Sequence, residues 1–142
     1  MPSAERTITI NAPIEHVFAF FTMPENDPSW RSGIKDIHGH GEPAVGNVVH
    51  QTIAGPMGRG IGADIEITAY EPNSRYAFQV VAGPVRPVGS YDFAQVDGGT
   101  AVTFKLSAEV TGLKKAMMSK PVQKNMDAEM AALDNAKRIL EG

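Results

Sequence analysis

Four histidines are the first residues to weigh for chemistry: His16, His38, His40 and His50. His38 and His40 stand two apart, so on a strand their imidazoles would share a face and could chelate a metal ion. A metal site needs a third ligand at credible spacing. The chain has no cysteine, and the sequence does not fix where His50 lies relative to the pair. No metal and no other cofactor is therefore expected, and His38 and His40 read as a solvated strand end. His16 reads as an exposed helix position. The stretch GPMGRGIG holds Gly58, Gly60 and Gly62. A phosphate loop runs straight into a helix, whose first N–H groups and dipole meet the anion. Here a strand follows and no Gly-Lys-Ser/Thr is present, so the stretch reads as a hairpin loop with Pro56, Met57 and Arg59 at its rim. No G-x-S-x-G nucleophile motif occurs. Asp64, Glu66 and Glu109 fall on the polar side of their strands and read as solvated, while the side taken by Asp92 depends on which face of its strand is inner. Acid–base chemistry in an apolar interior would need a proton-carrying group that reaches it. Alternation leaves Tyr91, His50 and Arg86 as candidates.

The elements that must position these groups follow from pattern. Thr7 to Asn11 alternates as a half-buried strand. Asn11 is placed to cap the helix that follows, Pro13 suits an early helical position, and Glu15 lies in the positive first turn. Ile14, Val17, Phe18 and Phe21 then share one helical face. Pro24 and Pro28 stop continuation, with a short helical turn predicted between Pro24 and Trp30. From Ile34 to Thr111 the signals are strand and turn. Strands are predicted for Ile34–His40, Asn47–Ala54, Ile61–Tyr70, Arg75–Ala82, Val88–Val96 and Val102–Val110. In the third of these, Ile61, Ala63, Ile65, Ile67 and Ala69 alternate with Gly62, Asp64, Glu66, Thr68 and Tyr70, which puts the first set inward. Asp97-Gly98-Gly99 marks a hairpin. After Gly112 the pattern turns helical. Pro121 predicts a short first piece and a main helix beyond it. Val122, Met126, Met130, Leu133, Ala136 and Leu140 form its apolar stripe, and Lys124, Asp127, Glu129, Lys137 and Arg138 are assigned to the wet side. The result is an α+β domain. A curved antiparallel sheet of about seven strands wraps the long C-terminal helix, with two short helices between the first and second strands.

Residues 1–142 suit a single domain. A net charge of −3 argues against nucleic acid, whose phosphates call for a basic surface. No apolar run reaches the roughly 20 residues that span a bilayer, so no integral membrane segment is expected. The first residues carry no basic-then-apolar secretory pattern, and the lack of cysteine fits a reducing compartment. A cytoplasmic protein is expected, and a homodimer would be unremarkable at this size.

Several stretches together resemble one superfamily. They are ITINAPIEHVFAFFTMPENDPSW, AVGNVV, ITAYEPNSRYAF, GSYDFAQVDGGTAVTF and the amphipathic terminal helix. The whole chain resembles the START / polyketide-cyclase-like superfamily (SRPBCC), whose helix-grip fold is shared with the birch-pollen allergen family. Such motifs are structural, so they speak for fold more than for activity. The resemblance implies an apolar cavity between sheet and terminal helix, in which members hold lipids, steroids, quinones or polyketides. Placed on this sequence, the walls would be Trp30, Ile65, Ile67, Phe78 and Tyr91, with Phe104, Met117, Val122 and Met126. Methionines suit adaptable apolar walls. The expected function is binding of a small hydrophobic molecule. The alternative is a polyketide cyclase- or dehydratase-like enzyme, which requires at least two polar side chains converging on the cavity, one with a perturbed pKa. A protein-interaction module without a ligand is the third reading. Trp30 would either face the cavity or plug the end of the core.

Overall fold

The computed structural model describes residues 2–39, 44–54, 59–83, 85–110 and 113–142. His40, Pro56 and Met57 lie outside these residues. Strand β1 (Ser3–Ile10) leads into α1 (Ile14–Thr22), a 3-10 turn (Pro24–Asn26) and α2 (Asp27–Trp30). Strands β2 (Ile34–His38), β3 (Val48–Ala54), β4 (Gly60–Gly62), β5 (Ile65–Glu71), β6 (Arg75–Val80), β7 (Val88–Val96) and β8 (Gly99–Ser107) follow, and α3 (Leu113–Glu141) ends the chain. The strands form a curled antiparallel sheet in the order β1-β8-β7-β6-β5-β3-β2, with β4 also paired to β3. This is the expected α+β helix-grip arrangement, with α3 against the sheet's inner face.

The inner face follows from alternation. Val102, Phe104 and Leu106 on β8, Tyr91 and Phe93 on β7, and Ile8 and Ile10 on β1 are buried. From α3, Met126, Met130, Leu133 and Ala136 close the core. Gly99, whose φ is +153°, ends the β7–β8 hairpin where a Cβ would lie 2.0 Å from the Ile10 carbonyl oxygen. No larger residue fits there.

Four local expectations are corrected. Asn11 does not cap α1: Pro13 holds that position without a side-chain bond, and the Asn11 N–H instead donates to Glu141 Oε2 at 2.9 Å. Pro121 does not divide the terminal helix, which runs unbroken through it. The bond a helical proline forfeits is to the carbonyl four residues back, here that of Met117, itself 76% exposed and therefore open to water. The run from Ile61 to Tyr70 is two strands, β4 and β5, separated at Ala63 and Asp64. Its register shifts between Ile67 and Ala69. That bulge adds one residue and turns Tyr70 inward, where its ring meets Phe18 edge-on at 5.4 Å. Ala69, expected inside, instead shares the opposite face with Ala77, its cross-strand partner.

Candidate functional site

The interior is mostly aromatic. Tyr91 stacks on Phe104 with ring centroids 4.3 Å apart. Phe21 lies 5.2 Å from Tyr91 and 5.3 Å from Trp30. At one place this apolar wall turns polar. Pro24 at the start of the 3-10 turn and Pro28 in the first turn of α2 set a tight path, and α2 ends so that Arg31 points between α3 and β3. Its Nε donates to Glu129 Oε2 at 2.7 Å. Its Nη1 donates to Asp27 Oδ2 at 2.9 Å and to Gln51 Oε1 at 3.3 Å. Gln51 is anchored in turn, its Nε2 donating to the Ala63 carbonyl at 2.8 Å. Asn135 of α3 donates to the Trp30 carbonyl at 3.2 Å, tying α2 to the long helix. The side chains of Asp27, Arg31 and Glu129 are only 14%, 14% and 12% exposed.

Burial sets the electrostatics. Desolvation pushes the Asp27 carboxyl up to about 6, against the opposing pull of Arg31. Burial also works against the Arg31 charge, but Glu129 and Asp27 outweigh it and hold the guanidinium above its usual range. Burial, reinforced by Asp27, lifts the Tyr91 phenol well above its ordinary value, so it stays protonated at neutral pH. The Trp30 N–H lies close enough to Asp27 to favour the ionised carboxylate. Even so, it has no hydrogen-bond partner of normal geometry among the described residues. A buried donor left in that state costs about 1–3 kcal/mol.

Of the expected wall residues, Trp30, Ile65, Ile67, Tyr91, Phe104 and Met126 are buried in the core, and Phe78 and Val122 pack half-buried at its border. Met117 departs from that group: at 76% exposed it stands in solvent, on the first turns of α3. Of the three candidates for chemistry, only Tyr91 is inside. His50 is on the outer side of β3, 44% exposed, its Nδ1 3.0 Å from Asp64 Oδ2. Arg86 is exposed, with its Nε donating to the Gly83 carbonyl of its own loop. Asp92 is also outside, paired with Arg75 at 2.7 Å. His38 faces His50 across the β2–β3 ladder, yet no group of three or more metal-ligating side chains occurs among the described residues.

Glu129 is corrected from the wet side to the interior. The sequence did carry signals for the polar cluster. Glu129 follows Met126 by three and precedes Leu133 by four, which places it on the apolar stripe. Gln51 occupies an inward position between Val49 and Ile53. Asp27 and Arg31 are four apart in DPSWR, around the sole tryptophan.

An open groove of about 600 Å³ also crosses the outer face of the sheet, past Ser3, Glu5, Thr68, Arg75 and Lys105. The ion pair at its edge, Arg75 with Asp92, is about 40% exposed on each side, where water screens charge and leaves little to select a ligand. The buried cluster is the better site because its groups are desolvated and converge.

A model of the family described as polyketide cyclase / dehydrase and lipid transport matches residues 1–138. A search of curated proteins gave no significant match. Among solved structures, one from Thermus thermophilus superposes with a TM-score of 0.79 at 19% identity, covering 96% of this chain and 95% of that one. A START superfamily protein from Mycobacterium smegmatis gives 0.73 at 15% identity, over 97% and 98%. The di-domain ARO/CYC StfQ of the steffimycin biosynthetic pathway gives 0.79 at 12% identity, covering 98% of this chain and 50% of that one. At these identities the likeness is one of fold. Among the described residues no helix is long and apolar enough to cross a membrane.

Proposed function

The chain belongs to the polyketide cyclase / dehydrase and lipid transport family, and on that premise we propose that it binds a small, mainly apolar molecule between the sheet and α3. The carrying observation is the cluster of Arg31, Asp27, Glu129 and Gln51 in an otherwise aromatic interior, beside a Trp30 N–H without a well-formed hydrogen bond among the described residues. Binding interiors of this kind combine apolar walls with a few placed polar groups. Half-buried Phe78, Ile53, Val85 and Val122 keep apolar surface within reach of solvent at the border of the core. Native mass spectrometry of protein purified from its own host tests the reading. A single co-purifying mass, whose removal changes the emission of Trp30, is the expected result, and consistently empty protein overturns it.

A second reading has its own observation. A carboxyl at about 6 is poised to exchange a proton near neutral pH, and this one has Tyr91 and Arg31 beside it. A cyclase- or dehydratase-like reaction would use Asp27 as general acid or base. Turnover of the co-purified molecule that is lost in Asp27→Asn while binding persists supports this reading. Binding without turnover in the unaltered protein leaves only the first.

A further inference from the structure

The charges around the polar cluster constrain what can sit on it. The titratable groups facing it are Asp27 from α2, Arg31 just after it, Glu129 from α3, and Tyr91 and Tyr76 from β7 and β6. Both tyrosines are held neutral by burial. Arg31 is thus the one cation among them, and two carboxylates already hold it, at 2.7 and 2.9 Å. The cluster's charge is −1 with both carboxylates ionised and zero with Asp27 protonated. Neither state leaves positive charge for a ligand anion, and a third carboxylate brought into so dry a site would be desolvated without a partner.

The unspent hydrogen-bonding capacity points the same way. The Trp30 N–H is a buried donor with no acceptor of normal hydrogen-bond geometry among the described residues, although Asp27 is near it. The bonds of Arg31 run through Nε and Nη1, to Glu129, Asp27 and Gln51. The Trp30 N–H calls for an acceptor oxygen, and the two carboxylates already beside it favour a neutral one. An ammonium ion would suit the net charge but offers this donor nothing to bond.

Building on the binding reading above, we infer that the ligand presents an uncharged acceptor end, a carbonyl or ether oxygen, to the Trp30 N–H beside Arg31, and that the Asp27–Arg31–Glu129 cluster rejects carboxylates. A site that keeps its own carboxylates in excess selects by repulsion as well as by fit.

Three probes with one ring system separate the possibilities: 2-acetylnaphthalene, 2-naphthoate and 2-naphthylmethylammonium. Dissociation constants are measured by calorimetry, with the emission of the single tryptophan as local reporter. The ketone is expected to bind at least about tenfold more tightly than the carboxylate, the scale set by desolvating an unpaired charge. Trp30→Phe keeps an aromatic ring, removes the N–H, and should weaken the ketone about fivefold, one hydrogen bond's worth. Glu129→Gln removes a carboxylate and should narrow the gap by strengthening naphthoate alone. This variant tests charge selection even if Trp30→Phe folds poorly. Naphthoate or the ammonium probe binding as tightly as the ketone overturns the inference and leaves the binding reading standing. Failure of all three to bind overturns both.

Discussion

Replacing Asp27 by asparagine should make this protein more stable, and increasingly so toward neutral pH. The unaltered carboxyl titrates near 3.8 in the unfolded chain and about 6 in the fold, chiefly because it is buried. A group whose pKa is raised on folding contributes stability that is complete below the unfolded value. That contribution is lost as pH climbs through the folded value. The window is therefore about pH 4 to 6. A rise of about two pH units at 1.36 kcal/mol each makes the loss of order 3 kcal/mol. Asparagine keeps an oxygen for Arg31 and never ionises, and Glu129 still holds the guanidinium at 2.7 Å. Every other titrating group is common to both proteins and cancels in the difference. Urea unfolding at pH 4, 5, 6, 7 and 8, followed by Trp30 emission, should show the variant's advantage growing by about 2–3 kcal/mol across the series and flattening above pH 7. A difference that stays constant with pH would refute the argument. So would one that reverses sign, because attraction to Arg31 would then outweigh desolvation and Asp27 would behave as an ordinary ion-paired carboxylate.

Two other outcomes follow from packing. Gly99→Ala forces a Cβ into the Ile10 carbonyl, 2.0 Å away in the present backbone, and should cost at least about 2 kcal/mol by thermal melting. Leu133→Ala, at a position with 0% exposure, should cost about 2–5 kcal/mol. Met117→Ala on the same helix should stay within about 0.5 kcal/mol, and a comparable loss at both positions would contradict the assigned face of α3.

The parts of this fold that show in the sequence are those governed by a single period. β7 and β8 alternate without interruption, and the stripe from Val122 to Leu140 repeats at helical spacing, so both faces can be assigned from residue types alone. Alternation cannot reveal a one-residue insertion, which is why the pattern puts Tyr70 outside and Ala69 inside. Pro121 misleads because a proline's cost depends on whether water can reach the carbonyl it strands. The polar cluster is hidden for another reason. Arg31, Gln51 and Glu129 lie on separate elements far apart in the chain, and only the grip of α3 against the sheet brings them together. Each sits at an inward or inward-edge position, but a lone polar residue there reads as an irregularity until its partners are known. For Trp30 the sequence allows either a cavity wall or a plug in the core; its ring is buried at 2% exposure while its N–H has no well-formed hydrogen bond among the described residues.

The sheet order also bears on how the chain acquires its structure. β1 pairs with β8 in the register Ser3 with Ser107, so the first strand's neighbour is the last strand to be synthesised. The β5–β6 and β7–β8 hairpins close over short turns and can form as each emerges. β1 must wait until Ser107 has been made, and closing so long a loop is entropically slow. Until it arrives, β8 presents an open ladder edge, and such an edge recruits strands from other chains. Docking of β1 is thus the step at which folding and aggregation compete, and weakening this pairing should lower the yield of refolding more than its effect on final stability would suggest.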